Sequence, residues 1–494
     1  MLKKIRITLA SVFLLGLTLL FLDFTGTAHH WLSWMAKVQA LEAVLALNIA
    51  IISLLVILTL IFGRIYCSVI CPLGVMQDLI GWLGKKVKKN RYTYSKEVKW
   101  LRYSMLGIFL VALIAHIGII TQLLAPYSAF GRIVTMIFQP LWKMGNNVLA
   151  SIAEHYDSYA FYSVDVWMKS LPVLIIATIT LVILFVLAWR NGRTYCNTIC
   201  PVGTVLSFLA RYSFLKINFD TEKCRNCSLC TKNCKAACID FKTHTVDYTR
   251  CIVCGDCLES CKFGALKYDN SKLHTKNQKE ENDTLIASRR SFLLSSTLLA
   301  TAAIAQEKDK IFDGGYIDLE DKIAPERQTP LTPPGSLSAQ HFAAHCTGCQ
   351  LCVSECPNDV LRPSTDLMHL MQPMMSYERG HCRPECTRCS KVCPAGAIKP
   401  IDREEKSSIQ IGHAVWIKKN CIPIIDGVEC GNCARHCPAG AIEMVPLDAE
   451  DEEGPYVPAI DENACIGCGA CEYVCPARPF SAIFVEGHEV HKKI

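Results

Sequence analysis

The chain has 494 residues, half of them hydrophobic, with 51 Lys and Arg, 45 Asp and Glu, and 29 cysteines. That length allows more than one domain. The basic residues flank apolar runs, which argues against nucleic acid as a partner. The absence of C-x-x-C-H argues against attached c-type haem, and the lack of a Gly-rich strand–helix turn argues against a nucleotide or flavin site.

Charge is divided along the chain. Residues 306–494 hold 28 acidic and 18 basic residues, net −10, and residues 1–305 are net +16. A membrane half with basic cytoplasmic loops joined to an acidic soluble half fits that division.

Four apolar segments, about 5–22, 44–62, 103–122 and 172–189, read as membrane spans. Lys3, Lys4 and Arg6 precede the first. Arg64, Lys85, Lys86, Lys88, Lys89 and Arg91 follow the second. Residues 23–43 hold only Lys37, and residues 124–170 only Arg132, Lys143 and Lys169. The positive-inside rule then places both ends of this unit in the cytoplasm. Asp23, His29, His30 and Glu42 fall at the outer ends of the first two spans, and Asn48 and His116 fall inside spans. Ionisable groups at such positions are candidate proton acceptors.

A repeat follows the second and fourth spans. Gly63-Arg-Ile-Tyr-Cys67-Ser-Val-Ile-Cys71-Pro-Leu-Gly74 matches Gly192-Arg-Thr-Tyr-Cys196-Asn-Thr-Ile-Cys200-Pro-Val-Gly203 at eight of twelve positions. Each C-x3-C places two thiols on one face of a helical turn. Together Cys67, Cys71, Cys196 and Cys200 offer four thiolates for one cluster or another metal site.

Residues 224–261 carry two runs with iron–sulfur spacing. In two-cluster ferredoxins the fourth cysteine of each run serves the other cluster. Cys224, Cys227, Cys230 and Cys261 are therefore expected to hold one [4Fe–4S] group, and Cys251, Cys254, Cys257 and Cys234 the other. Cys238 is left over. Residues 269–287 are a polar linker. Arg289-Arg290 then leads an apolar run ending in Ala303-Ile304-Ala305, the pattern of a twin-arginine export signal with an A-x-A cleavage site. Residues 306–340 are Pro-rich.

Four more runs follow: Cys346, Cys349, Cys352, Cys356; Cys382, Cys386, Cys389, Cys393; Cys421, Cys430, Cys433, Cys437; and Cys465, Cys468, Cys471, Cys475. All end in Cys-Pro, and sixteen cysteines suit four clusters. The expected architecture is an α-helical membrane domain of four transmembrane helices (1–215) with two α+β bacterial-type ferredoxin domains (216–268 and 341–494). Residues 269–305 and 306–340 join them. The expected cofactors are six [4Fe–4S] clusters, with a seventh cluster or another metal at the C-x3-C-P cysteines. Such a series is a wire for single electrons between a lipid-soluble quinol and a protein partner.

On these motifs residues 1–268 resemble the NapH-type membrane quinol dehydrogenases of periplasmic nitrate reductase systems. Residues 288–494 resemble the NapG/MauM-type exported ferredoxins, including Pro333-Pro334-Gly335 ahead of the first run. The resemblance implies oxidation of menaquinol from the quinone pool and delivery to a periplasmic reductase or cytochrome, nitrate reductase being the best-known acceptor. It also implies that the last four runs pair as first with fourth and second with third. Cys346, Cys349 and Cys352 would then join Cys475, and Cys465, Cys468 and Cys471 would join Cys356. Cys382, Cys386 and Cys389 would join Cys437, and Cys421, Cys430 and Cys433 would join Cys393. Pairing of adjacent runs stays open. The first ferredoxin is expected in the cytoplasm and the second in the periplasm. The rival function is copper-oxidase assembly or redox sensing, with the C-x3-C-P thiols binding or reducing a metal.

Overall fold

The computed structural model describes residues 2–88, 92–158, 160–270, 312–313, 317–318, 320–448 and 454–494. The twin-arginine stretch with Arg289, Arg290 and Ala303-Ile304-Ala305 lies outside the described residues.

The first 210 residues form a helical unit. Its helices are α1 (Leu2–Leu22), α2 (Thr27–Lys37), α3 (Ala40–Leu45), α4 (Ile49–Phe62), α5 (Ile65–Val69), α6 (Pro72–Lys88), α7 (Lys99–Ile114), α8 (Gly118–Leu124), α9 (Pro126–Ile133), α10 (Gln139–His155), α11 (Leu171–Asn191), α12 (Thr194–Thr198) and α13 (Pro201–Ala210). Two of them, α1 and α11, are long and apolar enough to cross a membrane, each with 21 residues and mean hydropathies of 2.2 and 2.9. At about 1.5 Å per residue each is roughly 30 Å long. Both leave most of their apolar side chains uncovered, including Leu15 and Leu19 on α1 and Ile179 and Val182 on α11.

The other two expected spans are shorter than the sequence suggests. Residues 44–45 belong to α3, and the chain turns at Leu47 (φ 51°) before α4 begins. Asn48 is therefore no residue inside a span. Its Oδ1 accepts from the Ile51 N–H at 3.3 Å and caps α4, satisfying one donor that the helix cannot. Residues 103–122 break in the same way. His116 takes φ 55° between α7 and α8, so it too sits at a turn.

In the first ferredoxin β1 (Leu215–Phe219) pairs antiparallel with β4 (Leu266–Asn270), and β2 (Ile239–Asp240) with β3 (Thr245–Val246). In the second, Ile409–Trp416 pairs antiparallel with Ile483–Lys493, and Ile442–Pro446 with Tyr456–Ile460. The Pro-rich lead-in is bound to this ferredoxin. Buried Arg327 donates to Glu472 at 2.6 and 2.8 Å and to the Val485 carbonyl at 2.7 Å.

The two ferredoxins occupy opposite ends of the long helices. Lys3, at the start of α1, pairs with Glu259 and Asp256 of the first ferredoxin, and past its end the Thr25 carbonyl accepts from Arg388 of the second. The Phe62 carbonyl at the end of α4 accepts from Tyr268 Oη at 2.9 Å, whereas Ala46 ahead of α4 lies under Gly396. Arg102 on α7 donates to the Thr249 carbonyl, and Gln122 on α8 touches Gly348. Lys169 ahead of α11 donates to the Val353 carbonyl, and the Arg193 N–H beyond α11 donates to the Lys235 carbonyl at 2.8 Å.

Asp78 on α6 fixes the end of this unit that meets the first ferredoxin. It accepts from Arg193 Nε at 2.7 Å, Arg6 Nη1 at 2.8 Å and Lys235 Nζ at 3.0 Å, joining α1, the second repeat and the first ferredoxin. Burial alone would raise its carboxyl. The Arg193 and Lys235 charges reverse this and hold it well below the ordinary carboxylate range. Asp78→Asn leaves buried Arg6 and Arg193 without their carboxylate, while Lys235 keeps Asp256, and the expected loss is about 3–5 kcal/mol. Thermal denaturation of the purified protein measures it; a transition unchanged from wild type contradicts the assigned role.

Candidate metal centres

The repeat builds its site by reciprocity. After α4 and α11 the chain turns through Gly63 (φ 80°) and Gly192 (φ 68°), forms the short helices α5 and α12, and restarts at Pro72 and Pro201. Arg64 of the first copy reaches the second copy, donating to the Cys196 carbonyl at 3.1 Å and to Asn197 Oδ1 at 2.9 Å. Arg193 of the second copy donates to the Cys67 carbonyl at 2.5 Å. Each guanidinium also lies 3.8 Å from a sulfur, Arg64 at Cys67 and Arg193 at Cys196. Gly74 and Gly203 leave room for this crossing: a Cβ on Gly74 would lie 2.5 Å from Arg193 Nη1, and one on Gly203 2.7 Å from Arg64 Nη2. The four thiols of Cys67, Cys71, Cys196 and Cys200 are buried together. Gln77 adds an Nε2 contact of 3.4 Å to Cys196 Sγ.

In the first ferredoxin Cys224, Cys227, Cys230 and Cys261 line one cavity with Phe219 and Phe263. Cys234, Cys251, Cys254 and Cys257 lie together as the second group. Cys238 is buried within that group, with Sγ 3.5 Å from Cys234 Sγ.

In the second ferredoxin the thiols group by adjacent runs, which corrects the pairing of first with fourth and second with third. Cys356 lines a cavity with Cys382, Cys386 and Cys389, not with Cys465, Cys468 and Cys471. Cys346, Cys349 and Cys352 meet Cys393, not Cys475. Cys475 joins Cys421, Cys430 and Cys433, and Cys437 joins Cys465, Cys468 and Cys471. The reason is packing between neighbours. The helical turn Leu351–Glu355 packs on Arg388–Val392, and Asn432–Arg435 packs on Ala470–Val474. The cysteine that ends each turn then falls beside its partner run.

Each group suits [4Fe–4S]. Among the described residues no three His, Cys, Asp or Glu side chains close on a single-ion point. In four of the groups the sulfurs line a cavity, and backbone N–H groups point at sulfurs: Ala265 to Cys261 and Ala441 to Cys437 at 3.3 Å, Ala482 to Cys475 at 3.3 Å, Gly348 to Cys346 at 3.5 Å. Such donors stabilise ligating thiolate and tune a cluster. Burial pushes the Cys349 and Cys468 thiols up to about 12, so a cationic centre is needed to hold them as thiolates. Lys406, buried, adds a 3.3 Å contact to Cys382 Sγ.

The expected proton acceptors separate into two places. His29 and Asp23 come together beneath the second ferredoxin. His29 Nδ1 lies 2.6 Å from Glu355 Oε2 and 3.5 Å from Asp23 Oδ2, and Arg388 is 3.7 Å from Glu355. Glu355 was not legible as part of this group. Its only sequence signal is its place before Cys356. Asp23 also accepts from the N–H groups of Thr25, Gly26 and Ala28, closing the turn into α2. His30 points away and stands edge-on to exposed Trp31. Glu42 is buried elsewhere, facing Thr347.

Models of a 4Fe-4S binding domain match residues 44–90 and 171–221, which are the two repeats with their preceding helices, and models of a 4Fe-4S dicluster domain match 247–360 and 428–478. The last match spans the third and fourth runs, in keeping with their pairing. An uncharacterized protein of Methanocaldococcus jannaschii is 36% identical over 107 residues, 22% of this chain and 41% of that protein. The ferredoxin-type protein NapG of Escherichia coli is 33% identical over 173 residues, 33% of this chain and 73% of NapG. The chain belongs to the NapG-type ferredoxin family. The ferredoxin-type protein NapF of the same organism is 29% identical over 161 residues, 32% of this chain and 87% of NapF. The chain thus spans less than half of the archaeal relative and most of the two E. coli ferredoxins. No solved structure matches.

The adjacent pairing gives a test. Cys356→Ser is expected to change the centre at Cys382, Cys386 and Cys389 and to leave the one at Cys465, Cys468 and Cys471 intact. Electron paramagnetic resonance of the reduced protein, compared with Cys437→Ser, separates the two. Identical losses in both variants contradict the grouping.

Proposed function

We propose that the chain is a membrane-bound iron–sulfur protein that oxidises a quinol and passes its electrons singly to a redox partner. Seven four-cysteine groups in unbroken succession carry this reading. Cys230 lies near Cys257 in the first ferredoxin. Asn197, beside Cys196, donates to the Ala236 carbonyl, two residues past Cys234. Tyr127 on α9 lies near Cys349 of the second ferredoxin. Cys352 lies near Cys389, the Cys382 N–H donates to the Cys468 carbonyl at 2.9 Å, and Cys471 lies near Cys433. Clusters bound there supply one-electron carriage.

The uncovered apolar faces of α1, α4, α7 and α11 support a four-span membrane unit, because Leu54, Ile57, Val111 and Ile114 are exposed as well. With the basic residues at the Lys3 end, the first ferredoxin lies at the cytoplasmic face and the second at the periplasmic face. The Arg289-Arg290 signal accounts for transfer of the second. By the family resemblance the donor is menaquinol and the acceptor a periplasmic reductase such as nitrate reductase.

Quinol oxidation also releases two protons, and His29 is placed to receive one. Its Nδ1 lies beside the carboxylates of Glu355 and Asp23, at 2.6 and 3.5 Å. Its Nε2 has no protein partner among the described residues and is the atom left to accept. Glu355 adjoins Cys356, so proton and electron leave at one place.

Anaerobically purified protein mixed with a menaquinol analogue is expected to bleach in the visible as its centres are reduced. Fully loaded protein that stays oxidised contradicts the reading. His29→Ala is expected to slow the bleaching by roughly 10²–10⁴-fold, the usual share of one proton acceptor. Reduction by dithionite, which needs no proton acceptor, is expected to proceed at the wild-type rate.

A further inference from the structure

Arg132 is the buried cation that the series of centres does not yet explain. It lies on α9, whose eight residues are all buried, and it has no exposed surface. Its Nε, Nη1 and Nη2 have no hydrogen-bond partner among the described residues. The other fully buried arginines are held: Arg64 by Asn197 and the Cys196 carbonyl, Arg193 by Asp78, Arg102 by Glu97. A guanidinium does not lose its proton in a protein, so Arg132 is a bare charge in an apolar interior. That is strongly unfavourable unless an anion faces it.

Two four-thiol groups are the anions available. Gly131 docks α9 on the second ferredoxin so closely that a Cβ there would lie 2.2 Å from the Cys349 carbonyl oxygen. Arg132 lies near both Cys349 and Tyr195. Tyr195 in turn is flanked by Cys196, Cys200 and Cys71. Arg132 therefore stands in the gap between the group of Cys67, Cys71, Cys196 and Cys200 and the group of Cys346, Cys349, Cys352 and Cys393. Four thiolates around a [4Fe–4S] core leave a net negative charge, and each added electron increases it.

We propose that Arg132 is the shared counter-charge of these two centres and favours electron passage between the helical unit and the second ferredoxin. This rests on the reading that both thiol groups hold clusters. A cation stabilises the reduced state of a neighbouring cluster, so Arg132 raises both potentials. It is a positioning residue and touches no substrate.

The test is a potentiometric titration of the full chain followed by electron paramagnetic resonance, with Arg132→Gln and Arg132→Lys beside wild type. Arg132→Gln is expected to shift the reduction equilibrium of both centres about tenfold toward the oxidised form, 59 mV for one electron. Arg132→Lys, which keeps the charge without the planar fork, is expected to shift them less. The centre at Cys224, Cys227, Cys230 and Cys261 serves as the distant control and is expected to hold. Loaded Arg132→Gln with both potentials unmoved overturns the proposal, as does an equal shift of all centres. If Arg132→Gln does not assemble, Arg132→Met, which also removes the charge, decides: a shift confined to the two centres supports the bridge, and no shift overturns it. Iron content and spectra of wild type separate the two readings. A wild-type protein without iron at Cys67, Cys71, Cys196 and Cys200 removes the cluster reading, and with it the bridge, whatever Arg132 does.

Discussion

The crossing of Arg64 and Arg193 is the contact on which the rest of the molecule depends. Each arginine belongs to one repeat and is anchored on the backbone of the other, at the residue that carries the first cysteine. Neither repeat can gather four thiols alone. Asp78 then couples the crossing to the first ferredoxin, since it holds Arg193 and Lys235 at once, and Lys235 follows Cys234. The position of one centre is thus tied to that of the next through a single carboxylate. The two guanidiniums also offset the charge of the thiols they hold together.

That crossing places the helical unit in series with both ferredoxins. The segments at the two ends of α1, α4 and α11 touch opposite ferredoxins, and α7 touches the first while α8 beyond it touches the second. The exposed apolar residues lie between those ends. Such uncovered apolar faces are what the proposed membrane unit needs. The net charge of +16 over residues 1–305 and −10 over residues 306–494 follows the same division. On the proposed reading the basic side meets the inner surface of a membrane and the acidic side is the exported domain.

Much of this was legible in the sequence where spacing carries the chemistry. The repeat beginning at Gly63 and Gly192 announced its own two-fold pairing, and the runs from Cys224 and Cys251 announced their exchange of fourth cysteines. Spacing failed where the outcome depends on which segments pack. The partner of Cys356 is decided by Leu351–Glu355 lying on Arg388–Val392, a contact between residues that no motif links. Hydropathy likewise overstated the second and third spans. An apolar run continues through the turns at Leu47 and His116 although the helix does not. Glu355 and Arg132 were hidden for another reason. Each is ordinary in its own stretch, and its meaning comes from a surface contributed by a distant part of the chain.

The account stands on the two ferredoxins lying on opposite sides of a membrane, joined through the thiols of the two repeats. The most direct measurement is side-specific proteolysis of spheroplasts and inverted vesicles, with one tag inserted at Gly264 in the first ferredoxin and another after Ile494. The account predicts that the tag after Ile494 is digested only in spheroplasts and the tag at Gly264 only in inverted vesicles. Digestion of both tags from the same side would contradict it.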